Sequence, residues 1–115
     1  MKLAPLLALA LVACTYKLPV PRTGDHRGDE PEPVPFPPPP GRVEIVPPPA
    51  DMKKPVWIDG EWLWAGRRWV WQDGRWQETP SEDSYFAPPA TVRLSDGNLA
   101  HFKGTWKKGA PEQPK

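Results

Sequence analysis

Two copies of one pattern stand close together in this chain: Trp57-Ile58-Asp59-Gly60-Glu61-Trp62 and Trp71-Gln72-Asp73-Gly74-Arg75-Trp76. Each reads W-x-x-G-x-W with Asp-Gly at its centre. Asp-Gly between β-forming residues is a strong short-range hairpin signal, because a type I′ turn needs φ > 0 at both central positions. The pattern therefore predicts two tight turns, with Gly60 and Gly74 as turn glycines. A two-residue loop at Asp59-Gly60 sets Trp57 across from Trp62. The same loop at Asp73-Gly74 sets Trp71 across from Trp76.

Four short strands fit this expectation: residues 56–58, 61–64, 69–72 and 75–77. With Ala65-Gly66-Arg67-Arg68 as the middle loop, Trp64 faces Trp69 and Trp62 faces Trp71. A row of indoles, Trp57, Trp62, Trp71 and Trp76, then crosses all four strands. Trp64 and Trp69 lie two residues along and project to the same face. Six of the seven tryptophans thus share one face. Val56, Leu63 and Val70 form an apolar row on the other, where Glu61 and Arg75 are expected to solubilise the surface. Such a meander alone stands near break-even between indole burial and chain ordering, so part of the tryptophan face needs a cover. The natural cover is the C-terminal segment, where residues 91–94 and 99–102 flank another hairpin signal, Asp96-Gly97. His101-Phe102-Lys103-Gly104-Thr105-Trp106 looks like a degenerate third copy, with His101 at the first tryptophan position. The face is then either a core or a partly exposed aromatic platform. The stretch from Glu78 to Pro89, with three prolines and several acids, reads as a loop.

The N-terminus carries an address. Lys2 precedes an apolar stretch from Leu3 to Val12, too short to span a bilayer, for which roughly 20 apolar residues are needed, but of signal-peptide length. It ends in Leu11-Val12-Ala13-Cys14, and Cys14 is the sole cysteine. This tetrad resembles the bacterial lipobox. The resemblance implies cleavage before Cys14, a diacylglyceryl group on its sulfur and an acyl chain on its new amino group. Those covalent lipids are the only attached groups expected; no cofactor or metal is. Thr15 follows where an Asp would resemble an inner-membrane retention signal, which favours an outer-membrane anchor facing the periplasm. A simple secretory peptide with an incidental cysteine is the competing reading.

Thirteen of the nineteen prolines lie between Pro19 and Pro55, including Pro37-Pro38-Pro39-Pro40 and Pro47-Pro48-Pro49. Such a run sustains neither a helix nor a central strand. It predicts a disordered, polyproline-II-like tether reaching roughly 110 Å at about 3.1 Å per residue. Asp29, Glu30 and Glu32 then serve as solvating charges. A second reading makes the PxxP-like spacing a ligand for a proline-binding surface. Asp25, His26 and Asp29 offer one imidazole and mobile carboxylates, a poor metal site. The expected organisation is a signal peptide over residues 1–13, a lipidated tether over 14–55, a tryptophan-rich β-domain over 56–107 and a disordered tail over 108–115. The fold class is all-β, a small antiparallel meander of tryptophan-rich hairpins.

These features together resemble bacterial envelope lipoproteins with YXWGXW (W-x-x-G-x-W) repeats. The matching positions are Trp57, Gly60, Trp62, Trp71, Gly74 and Trp76, with the lipobox. The aromatic often found two residues before the first repeat tryptophan is missing at Pro55, and Trp69 occupies that place in the second copy. The resemblance implies location and architecture and supplies no catalytic residues.

Chemistry leaves little trace. Asp59 and Asp73 beside aromatics suggest the paired carboxylates of glycoside hydrolysis, but turn chemistry explains their positions better. A net charge of +1 gives no basic footprint for nucleic acid. The chain reads as a non-enzyme. Two functions remain: a lipid-anchored scaffold or adaptor meeting an envelope protein, or a glycan-binding module whose tryptophans (Trp57, Trp62, Trp64, Trp69, Trp71 and Trp76) stack on peptidoglycan sugars.

Overall fold

The computed structural model describes residues 17–49 and 51–109. The signal peptide, Cys14 and the end of the tail lie outside the described residues. Within them the protein is all-β, as expected, and holds no helix. Nine short strands follow one another: β1 (Glu32–Val34), β2 (Pro55–Ile58), β3 (Glu61–Trp64), β4 (Trp69–Gln72), β5 (Arg75–Glu78), β6 (Ser84–Ala87), β7 (Ala90–Arg93), β8 (Leu99–Phe102) and β9 (Thr105–Lys108).

The pairing differs from a meander. β2 pairs with β5 and β3 pairs with β4, all antiparallel. The chain therefore passes through Asp59-Gly60 without reversing, turns once at residues 65–68, and passes straight through Asp73-Gly74. One long hairpin results, interrupted at its middle. Its turn is closed by the Ala65 amide donating to the Arg68 carbonyl at 2.9 Å, with Gly66 at φ 85°. This is the four-residue loop read from the sequence, and it gives the expected pairs Trp62↔Trp71 and Trp64↔Trp69. Trp57, however, pairs with Trp76 and not with Trp62. The indoles form three rungs along one two-stranded ribbon, not a row across four strands.

Residues 84–108 repeat this design. β6 pairs with β9, and β7 pairs with β8. The turn lies at Asp96-Gly97, where the Leu94 amide reaches the Asn98 carbonyl at 2.8 Å. The interruption falls at Pro88-Pro89, opposite Lys103-Gly104. Proline has no amide to give a ladder, which accounts for the break on that side. Phe86 faces Trp106 and Thr91 faces His101. These are the places of Trp57–Trp76 and Trp62–Trp71 in the first hairpin, so the degenerate third copy holds the same register as the other two.

The stretch expected to be a loop between Glu78 and Pro89 contains β6, and all four of its residues are buried. Tyr85 and Ala87 are buried almost completely. Lys108, placed in the tail by sequence, closes β9.

The proline-rich stretch is not a free tether in the described residues. Residues 22–25 run along β6: the Phe86 amide donates to the Arg22 carbonyl at 2.8 Å, and the Gly24 amide donates to the Phe86 carbonyl at 3.2 Å. The buried Tyr85 hydroxyl donates to the Asp25 carbonyl at 3.0 Å. β1 then joins the edge of β8, burying Val34. Asp29, expected to be a solvating charge, pairs with His26 at 3.0 Å and with Lys107 at 2.7 Å. The Lys107 bond, followed by that from His26, holds the Asp29 carboxyl below the usual range. The hairpins contribute most of the core: Trp57, Ile58, Trp69, Tyr85, Phe86, Ala87 and Ala100, with Val34 from the arm.

Candidate functional site

The tryptophan face is built from one repeated device. Each W-x-x-G copy places an indole over the glycine of the opposite copy. A Cβ on Gly60 would overlap the Trp71 ring and lie 2.7 Å from the Gln72 carbonyl oxygen. A Cβ on Gly74 would overlap the Trp57 ring and lie 2.8 Å from the Ile58 carbonyl oxygen. The positive-φ glycines are Gly28, Gly66, Gly97 and Gly109, and neither Gly60 nor Gly74 is among them. These two are therefore not turn glycines. They are bare backbone over which an indole lies. Gly104 follows the same rule, since a Cβ there would stand 2.7 Å from the Phe86 ring.

The cross-strand pairs meet edge to face, the arrangement favoured by the ring quadrupole. Ring centroids lie 5.5 Å apart in Trp57–Trp76, and 5.2 Å apart in both Trp62–Trp71 and Trp64–Trp69. The face is graded in depth. Trp57 and Trp69 are buried, whereas Trp62, Trp64, Trp71 and Trp76 are half-buried.

Two covers lie on this ribbon. The second hairpin supplies one. The His101 ring meets the Trp69 ring edge-on at 4.7 Å, and its Nδ1 bonds the Thr91 hydroxyl at 2.9 Å. Burial pushes the His101 pKa down, so the imidazole is a packed neutral ring near neutral pH. Glu61, placed on a solubilising outer face by sequence, is buried instead, and its Oε2 accepts the Gly104 amide at 2.9 Å. Desolvation pushes the Glu61 pKa up against the pull of that amide.

The second cover is the proline-rich segment itself, which the sequence reading set apart as a spacer. The Trp69 indole donates to the Phe36 carbonyl at 3.3 Å, Trp62 to Pro40 at 3.1 Å and Trp76 to Pro47 at 2.7 Å. Proline-rich backbone suits this role, because its carbonyls carry no internal hydrogen bonds. Between the two proline runs, the Arg42 guanidinium sits over Trp62 and Trp71, at 4.9 and 5.7 Å from the ring centres. The Glu44 carboxylate spans the interruption of the hairpin. Its Oε1 accepts the Gly60 amide and its Oε2 the Gly74 amide, both at 2.8 Å. Those two amides, facing each other where the ladder is broken, are satisfied by one side chain from outside the hairpin. Val43 and Ile45 point the other way and are 101% and 95% exposed. Phe36 closes the end of the segment, edge-on to Trp64 at 5.3 Å.

Asp59 accepts the Trp57 indole N–H at 2.9 Å, a structural role. It and Asp73 stand beside the two glycines on opposite strands, not in the turns the sequence suggested. Among the described residues no group of three or more His, Cys, Asp or Glu side chains gathers in a metal-binding arrangement. Also among them, no helix is long and apolar enough to cross a membrane. Sequence reasoning missed Arg42, Glu44 and Glu61. The available signal was the placement of Arg42 and Glu44 between two proline runs. No protein-family model, curated protein or solved structure matches this chain.

Proposed function

We propose that this chain is a lipid-anchored, non-catalytic scaffold or adaptor of the bacterial cell envelope. Cys14 carries the lipid, and the β-module faces the periplasm from the outer membrane. The anchor rests on the Leu11-Val12-Ala13-Cys14 tetrad and on the resemblance to YXWGXW-repeat lipoproteins. The scaffold reading is supported above all by one observation: three indole N–H groups of the tryptophan face are bonded to the chain's own proline-rich segment. A face held in this way serves to fix an arm and a module into one body before it serves chemistry.

Glycan stacking on peptidoglycan is the second reading, favoured by the half-buried state of Trp62, Trp64, Trp71 and Trp76. Acrylamide quenching of tryptophan emission in the full chain, with and without purified peptidoglycan, separates the two. The scaffold reading expects blue-shifted, protected emission that peptidoglycan leaves unchanged. Red-shifted, quenchable emission that peptidoglycan protects replaces it with the glycan reading. The anchor is tested by metabolic labelling with a fatty-acid analogue, which a Cys14→Ser variant must fail to incorporate.

A further inference from the structure

The tryptophan face already holds a segment of its own chain, and the contacts of that segment show what chemistry the face can accept. It takes an extended segment with prolines at both ends, whose carbonyls at positions 36, 40 and 47 receive three indole N–H bonds. At its centre it takes a carboxylate, seated on two glycine amides. Recognition of a pre-extended proline-rich segment by an aromatic groove is a general mode of peptide binding, because little conformational entropy is lost on docking. We propose that this face is a binding site for a proline-rich segment with an acidic centre, and that the arm of a second copy of this chain can occupy it in place of the chain's own.

Three observations favour exchange between copies. The arm lies N-terminal to both hairpins, so it can leave and return without threading a loop. Its link to β2 is short and exposed: Asp51 to Lys54 all lie at the surface, and Lys54 sits at φ 46°, a left-handed conformation that a lysine adopts at a cost. A chain released from that turn relaxes, and short strained hinges are where element exchange begins. The central part of the arm is also held from one side only, since Val43 and Ile45 stand open to solvent. The segment's sequence is present in every copy, which makes a second copy the occupant whose chemistry is known to fit. This surface is independent of the lipid anchor and of location, so its failure and the failure of the envelope reading are separate results.

The test uses the full chain and a fluorescent synthetic peptide spanning residues 31–49. In a Glu44→Ala chain the internal arm loses its central carboxylate, and the face opens to competition. The peptide binds this variant at least tenfold more tightly than it binds the wild-type chain, and a peptide carrying Glu44→Ala binds it at least tenfold more weakly. Absence of binding, or equal binding of the two peptides, overturns the proposal. If near-UV circular dichroism shows the Glu44→Ala chain unfolded, two wild-type preparations replace it. One is labelled at position 30 and the other at position 67, and the two are mixed at high concentration. Energy transfer between copies that grows on incubation, and that excess unlabelled peptide suppresses, is the expected result. No transfer overturns arm exchange.

Discussion

The sharpest consequence of the structure concerns Gly60. In a type I′ turn this residue would need φ > 0, and Asn would replace it with little loss, because Asn tolerates the left-handed region. In the structure its φ is not in that region, and the constraint is the Trp71 indole lying over the backbone. Gly60→Ala places a methyl group into that ring and 2.7 Å from a main-chain oxygen of the paired strand. Neither neighbour is the free end of a flexible chain, so the strands must part. Overpacking of this kind costs about 1–3 kcal/mol. Displacing the Gly60 amide from the Glu44 carboxylate removes a hydrogen bond to a charged group, worth about 1.5–3 kcal/mol when fully lost. The two effects overlap, and a total of about 2–4 kcal/mol follows. At a urea m-value of about 1.5 kcal/mol/M the unfolding midpoint falls by roughly 2 M. Gly60→Asn must be at least as harmful as Gly60→Ala. Gly41→Ala is the control: nothing lies within 4 Å of a Cβ there, and the substitution changes stability by less than about 1 kcal/mol in either direction. Equilibrium urea unfolding of the three variants decides the matter. A tolerated Gly60→Asn beside a damaging Gly60→Ala would refute the packing argument and restore the turn.

Further predictions follow from individual environments. The folded-state pKa of Glu61 lies above the ordinary 4.5, so its contribution is fully present below that pH and is lost as pH rises through the raised value. The stability of Glu61→Gln relative to wild type therefore increases between about pH 4 and pH 7; a flat difference in urea titrations contradicts this. His101 has the opposite sign. Its pKa lies below 6.5 in the folded state, so stability falls as pH drops below that value, and a buried imidazole must charge on unfolding; a His101→Phe variant should lose that slope in thermal melts. Trp57 is only 4% exposed, and Trp57→Ala should cost about 3–5 kcal/mol, measured by chemical denaturation; a loss under about 1 kcal/mol would place it outside the core. The Trp106 indole nitrogen is buried with no hydrogen-bond partner among the described residues, whereas that of Trp76 bonds Pro47. Trp106→Phe should therefore cost about 1 kcal/mol less than Trp76→Phe in the same assay.

Much of the first hairpin was legible in the sequence, and the reason for each failure is physical. Strand limits over Val56 to Gln77 agree to within a residue, and the four-residue loop at Ala65 to Arg68 gave the right partners for Trp62 and Trp64. The alternation of tryptophan with polar residues carries that information. Asp59-Gly60 and Asp73-Gly74 misled because one dipeptide serves two purposes: it can turn a chain, or it can leave room for a ring. Composition cannot separate them, since the ring that fills the space comes from the partner strand. β6 escaped notice because Ser84-Tyr85-Phe86-Ala87 is flanked by acids and prolines and has no alternation, the pattern of a strand buried on both faces. The arm reads as a spacer because proline cannot join a central ladder. What that reasoning omits is that proline-rich carbonyls remain free to accept, and the indoles of Trp62, Trp69 and Trp76 supply donors. Glu61 reads as a surface charge and Glu44 carries no sequence signal of its role, because a carboxylate's amide partners, lying 16, 30 and 43 residues away, leave no local mark.

The central claim is that the proline-rich arm lies along the tryptophan face. Nuclear Overhauser spectroscopy of the full chain tests it most directly, through the indole N–H resonances. The account predicts cross-peaks from Trp69 to Phe36, from Trp62 to Pro40 and Gly41, and from Trp76 to Pro47 and Pro48. Indole resonances that show cross-peaks only within the hairpins, with residues 36–47 at random-coil shifts, would contradict it.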